Sequence, residues 1–227
     1  MTSGRRSTIG LGLAGWMLAA GGVHAAIKDW SGTATSTSWT TAGNWVGGVP
    51  ADSLTTDTAR FNQTSYAFQP TATANRQVNG LVFGDGTTAA APITVLTQVQ
   101  GSRLRTGSGG IIVYPGCGAV TIGSSIANQG VNLGADQSWA NNSSSLLYVR
   151  QFGNMNVADA STPYTLTLNG SGSGGTTIDM IYDGNLGGSG STVALVVNTS
   201  GGVTTLAGSS AFSGGLTVSN GTVVLGN

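Results

Sequence analysis

The closest pair of carboxylates along the chain is Asp179 and Asp183, in Ile178-Asp-Met-Ile-Tyr-Asp-Gly184, and the cation that most nearly precedes them is Arg150. Two placed carboxylates can cleave a glycosidic bond as acid and base or nucleophile, and a carboxylate with a basic group can take a proton from an acidic polysaccharide. Asp179, Asp183 and Arg150 are therefore the residues a polysaccharide lyase or glycosidase would use. With 179 in mid-strand and 183 in the following turn, however, the two carboxylates need not face each other. Asp85, in Gly84-Asp-Gly86, and Asp52, beside Pro50, have the surroundings of turn residues, whose short side chains bond local backbone N–H groups. Arg103-Leu-Arg105 places two guanidiniums on one face of a strand, suited to anion contact but more often simply a solvated face. Cys117, in Pro115-Gly-Cys-Gly118, is the only thiol and reads as a small buried residue rather than a nucleophile.

Other chemistries lack their residues. The chain contains no glutamate, and its one histidine, His24, lies near the N-terminus. It has no Cys-x-x-Cys pair and no Gly-Gly-x-Gly-x-Asp calcium array. Gly172-Ser-Gly-Gly175 and Gly187-Gly-Ser-Gly190 lack the Gly-Lys-Ser/Thr ending of a phosphate loop and read as turns. The paired Asp-Asp, Gly-His-Gly and Arg-x-Lys segments of pectin-degrading β-helices do not occur beyond His24. No catalytic, cofactor-binding or metal-ligating residue is assigned, no cofactor is expected, and the expectation is a protein that is not an enzyme.

The N-terminus has the pattern of an export signal. Arg5-Arg6 precede an uncharged stretch from Ile9 to Gly22, and Val23-His24-Ala25 places small residues three and one before a cut between Ala25 and Ala26. The stretch is short and broken by glycine, below the roughly 20 apolar residues of a membrane span. Residues 1–25 are thus expected to be a secretory signal peptide. Cleavage would leave six basic residues and eight aspartates, a net charge of −2 with no basic cluster. That balance argues against a nucleic-acid partner.

The elements that must position these side chains are strands. Only 7% of residues are charged, 38 are glycine, and serine, threonine and asparagine fill much of the rest, a poor composition for helices. Apolar clusters recur between polar turns: Leu81-Val-Phe83, Ile93-Thr-Val-Leu96, Ile111-Ile-Val-Tyr114, Val120-Thr-Ile122 and onward through Tyr164-Thr-Leu-Thr-Leu168 to the C-terminus. Spacings of roughly 9–18 residues suit an all-β fold. Asn220-Gly221 fits a type I′ hairpin turn between Leu216-Thr-Val218 and Thr222-Val-Val-Leu225, and fits a corner between two faces of a parallel coil equally well.

A resemblance separates these two. Phe212, Gly214, Gly215, Thr217, Val218, Gly221, Thr222, Leu225, Gly226 and Asn227 match the bacterial autotransporter-associated β-strand repeat, aromatic-x-Gly-Gly-Thr-Thr-Val-x-x-Gly-Thr-Leu-x-Leu-Gly-Asn. The segment Asn132-Leu-Gly-Ala-Asp-Gln-Ser-Trp-Ala-Asn-Asn142 is similar to a Leu-Gly-Ala-x-Gln-x-Trp-x-Asn-Asn stretch recurrent in the same proteins. Residues 27–62 resemble the module that often opens them, with Trp30, Trp39, Asn44-Trp45, Gly48-Val-Pro50, Asp57 and Phe61-Asn62 in the same order and Thr40 where serine is common. The resemblance implies a right-handed parallel β-helix with an aromatic-rich N-terminal cap. The tryptophans either plug the open end of the stack, the favoured reading, or form an exposed platform for sugar rings.

The expected organisation is a signal peptide at 1–25, a capping module at 26–77 and β-helix repeats at 78–227, the last interrupted at its C-terminal end as in a longer polypeptide with further repeats. The expected role is that of a passenger-like or adhesin-like protein, exported to the exterior or outer surface of a bacterium. Its expected partners are glycans or other surface proteins, with no membrane span in the mature chain. The alternative is a carbohydrate-active β-helix enzyme.

Overall fold

A computed structural model of the chain describes residues 25–97, 104–124, 130–150, 152–153, 163–183 and 192–226. The proposed signal peptide up to His24 lies outside these residues, as do Arg103, Asp159 and Asn227. Among the described residues there is no α-helix, only one 3-10 turn at Ala42–Asn44, and no helix is long and apolar enough to cross a membrane.

Short β-rich runs between glycine-containing turns become strands in the order β1 (Ala26–Trp30), β2 (Trp45–Val46), β3 (Asp57–Phe61), β4 (Thr71–Ala72), β5 (Arg76–Phe83) and β6 (Ile93–Thr97). There follow β7 (Leu104–Val113), β8 (Val120–Ile122), β9 (Val131–Leu133), β10 (Gln137–Asn141), β11 (Leu147–Val149) and β12 (Phe152–Gly153). The last are β13 (Tyr164–Gly170), β14 (Thr176–Ile178), β15 (Ile181–Tyr182), β16 (Val193–Leu206) and β17 (Leu216–Leu225). Strands pair with strands one coil away, and among the described residues every strand pairing except the antiparallel β1–β2 is parallel. The fold is a parallel β-solenoid of about five turns, not a barrel. Residues 28–29 positions apart, such as Arg105 and Leu133 or Asp136 and Thr165, sit on adjacent coils.

Three faces wind around the core. On the first, Ala59, Leu81, Ile111, Trp139, Leu168 and Val197 stack in register, all fully buried. On the second, Val95, Ile122, Val149, Ile178 and Leu206 form the equivalent row. The third passes through Leu104, Val131 and Ile181. Alternation along each strand turns every second side chain inward, where burial contributes about 1.5–3 kcal/mol per large apolar side chain. Ordering costs about 1–2 kcal/mol per residue, so no coil holds alone and stacking makes the array cooperative.

Coil-to-coil contact is close at the corners. Gly170 has φ 121° and a side chain there would run into the carbonyl of Asn141 one coil below, so only glycine fits. Asn220-Gly221 is a corner and not a hairpin: both halves of β17 pair parallel with β16, Leu195 opposite Leu216 and Val203 opposite Thr222. The run 176–181 is two strands, β14 and β15, and Asp179 lies in the bend between them rather than in mid-strand. β5 runs across positions 77 and 78, joining the aromatic-rich N-terminal segment to the coils that follow.

Candidate functional site

Two polar features stand out: a plugged first coil built around buried aromatics, and one outward cluster on the second face. At the plug, Trp30, Trp39, Trp45, Phe61 and Phe83 are all buried. Trp45 meets Trp30 and Trp39 edge-on, at centroid distances of 5.1 and 4.8 Å, and Phe61 stacks on Phe83 at 5.1 Å. Two of the indole N–H groups are satisfied internally, Trp30 donating to the Phe68 carbonyl and Trp45 to that of Trp39. Asn44, fully buried, accepts the Thr35 N–H and donates to the carbonyls of Ser36 and Ser38, holding the loop that closes over the rings. These tryptophans are a plug; they are not an exposed platform for sugars. β2 lies antiparallel beside the end of β1, pairing with Asp29 and Trp30.

The seven described aspartates divide by partner. Five hold corners through backbone N–H groups. Asp52 accepts from Gln77, Asp57 from Ala51, Asp136 from Thr165, and Asp85 from both Thr87 and Thr88. Asp183 accepts from Val193 at 2.6 Å and from Ser213. The donors around Asp85, Thr88 and Thr87 N–H first, hold its carboxyl well below the usual carboxylate range. Asp29 instead forms a two-pronged ion pair with Arg60, which the guanidinium's hydrogen bond stabilises in its charged form.

Asp179 is different: its carboxylate accepts the Tyr148 phenol at 2.5 Å, and Arg150 lies over the Tyr148 ring, 5.2 Å from its centroid. Burial first, then the Asp179 hydrogen bond, raises the Tyr148 phenol, which Arg150 opposes. The sequence grouping of Asp179, Asp183 and Arg150 is therefore split. Asp179 and Arg150 come together around Tyr148, whereas Asp183 spends both oxygens on backbone donors.

Arg105 points its Nε at the Leu133 carbonyl one coil above. Cys117 is buried, and burial pushes its thiol up to about 11. Among the described residues no group of three metal-ligating side chains gathers. A buried knot escaped the sequence reading: the Gln137 amide oxygen accepts from Trp139 Nε1 and Thr106 Oγ1, while its nitrogen donates to the Thr106 carbonyl. Asn141 likewise donates to the carbonyls of Ser145 and Gly175. The visible signal was Gln-x-Trp-x-Asn itself, in which three alternate residues all face inward.

Outward, the second face carries Thr94, Thr121, Tyr148, Thr177 and Thr205 in strict register, and the first carries Asn169, Asn198 and Asn220. Parallel strands set such rows at about 4.8 Å per step. The fold and these surfaces define the class: a parallel β-solenoid plugged at one end by aromatics and lined outside by ladders of hydroxyl and amide groups. Comparison with protein-family models, with curated proteins and with solved structures finds no match.

Proposed function

We propose that the chain is a secreted or cell-surface structural β-solenoid of the passenger or adhesin type, cut after Ala25. It would offer its outer ladders to glycans or to other surface proteins. The observation that carries this reading is the in-register row Thr94, Thr121, Tyr148, Thr177 and Thr205. A row of hydroxyls at a fixed repeat suits an extended, repetitive ligand, since each weak hydrogen bond adds to the next without a deep pocket.

Binding of the purified protein to bacterial and host polysaccharides tests the reading. Replacing Thr121, Thr177 and Thr205 together by valine keeps side-chain volume and removes the hydroxyls. Binding that weakens at least tenfold, with the fold unchanged by circular dichroism, is the expected result. Undiminished binding would show that the ladder is not the contact surface.

The carbohydrate-active alternative keeps one specific support, the Tyr148–Asp179–Arg150 cluster. Polysaccharide cleavage that is abolished by Asp179→Asn and spared by Asp183→Asn would establish it in place of the structural role.

A further inference from the structure

Polar residues gather at one interior corner of the later coils, where the earlier coils are apolar. The inward row that reads Ile93, Val120 and Leu147 continues as Thr176 and Thr204, both buried. At the corner between the first and second faces, Val113 is followed on successive coils by the buried Asn141, then Gly170, then the buried Thr199. Gly170 carries no side chain, so the inside of its corner stays open between Asn141 and Thr199. A hollow lies there with about 10 Å3 of room for the centre of a water molecule, lined by Asn141, Asn169, Thr176 and Thr199 among glycines.

The oxygens at this corner are unevenly satisfied. Asn141 is fully committed: its amide nitrogen donates to the Ser145 and Gly175 carbonyls, and its oxygen accepts the Ser143 N–H. Asn169 Oδ1 and Thr199 Oγ1 are buried and make no hydrogen bond within the protein. Neither does Thr204 Oγ1, whose residue pairs with Thr176. Three of the six such atoms among the described residues therefore fall at one corner, which calls for a shared partner.

We propose that this corner binds a single internal water molecule, which ties β13 and β14 to β16 from the inside. The size fits, since one water needs about 10–15 Å3 by the same measure. Chemistry selects it as well. An amide oxygen only accepts, whereas a threonine hydroxyl both donates and accepts. Water answers both needs, donating to Asn169 Oδ1 while accepting from a threonine hydroxyl. A cation would leave the hydroxyl hydrogens without an acceptor, and no ionisable side chain lines the hollow to offset its charge. An apolar hollow of this kind would stay dry; these oxygens make it wet. A side chain at position 170 would strike the Asn141 carbonyl, so water fills a volume that the chain itself cannot.

High-resolution diffraction and water–amide nuclear Overhauser contacts on the whole chain test this. Ordered density in the hollow is expected, with a long-lived water contact at the Gly170 or Thr199 N–H. Thr199→Val then gives the sign of the effect. Removing a hydroxyl that water satisfies should raise the unfolding equilibrium constant about fivefold, relative to Thr167→Val on the outer side of β13. Removing an unpaired hydroxyl would lower it instead, because valine keeps the shape and deletes only the unsatisfied group. Thr199→Ser keeps the hydroxyl and should keep the water, which carries the test should the valine variant fail to fold. An empty hollow in the wild type, no long-lived water contact, or a Thr199→Val variant more stable than its control would each overturn the proposal.

Discussion

The first coil and the last have the same kind of strand and opposite surroundings. At the first, five aromatic rings, the buried Asn44 and the antiparallel β2 close the interior, leaving Trp30, Trp39 and Phe61 essentially without solvent contact. At the last, β17 holds the same alternation of apolar and polar residues, yet nearly all of it is exposed. What decides burial is therefore not the strand but what lies on its far side. A coil buries its inward residues between two neighbours, and a terminal coil has only one unless something else covers it.

Substitution at the plug should cost most. Trp39→Ala removes a fully enclosed ring that packs on Trp45 and Phe61, and a loss of about 3–5 kcal/mol is expected in chemical denaturation. A loss below about 1 kcal/mol would mean that the plug is not holding the end of the stack. Asn44→Ala leaves the Thr35 N–H and the Ser36 and Ser38 carbonyls without their partner, and about 2 kcal/mol is expected by the same measurement.

Between the ends, Cys117 reports on the interior through pH. Its folded thiol titrates at about 11, above the roughly 8.5 of an unfolded chain. A raised pKa leaves stability intact below the unfolded value and removes it as pH rises toward the folded one. Thermal unfolding should therefore weaken progressively from about pH 8.5 to 11, less steeply in Cys117→Ala. An identical alkaline decline in the variant would show that the thiol is not the group responsible.

The smallest effect is expected in β17. Leu225, 68% exposed, should change stability by no more than about 0.5 kcal/mol on truncation to alanine in dilute protein. A cost of about 2 kcal/mol or more would mean that Leu225 is covered in solution.

Much of this fold was legible in the chain. Abundant glycine, sparse charge and recurrent Val-Thr-Ile clusters indicate strands, and Phe212 to Asn227 indicates repetition of a coil. Asp85 was legible as a turn residue because Gly-Asp-Gly turns its carboxylate back on the residues that follow, where the Thr87 and Thr88 N–H groups and hydroxyls meet it. Less visible were Asn44, Gln137 and Asn141, polar residues with buried structural work. Composition places such side chains outside, and only the alternation of Gln137 and Asn141 with Trp139 hints otherwise. Asp179 and Asp183 misled by proximity: a corner falls between them, so four positions of sequence separate two surroundings.

Taken alone, the sequence determined that the chain forms short strands, that each needs a neighbour, and that Asn220-Gly221 bends the chain. These are local properties, fixed by backbone preference and the two-residue period of a strand. Tertiary structure decided which strand each one meets. Parallel pairing from coil to coil puts Tyr148 against Asp179, commits Asp183 to backbone donors and lines up the threonines. That registry is set by stacking inward side chains from coil to coil, a condition no single repeat can impose on itself.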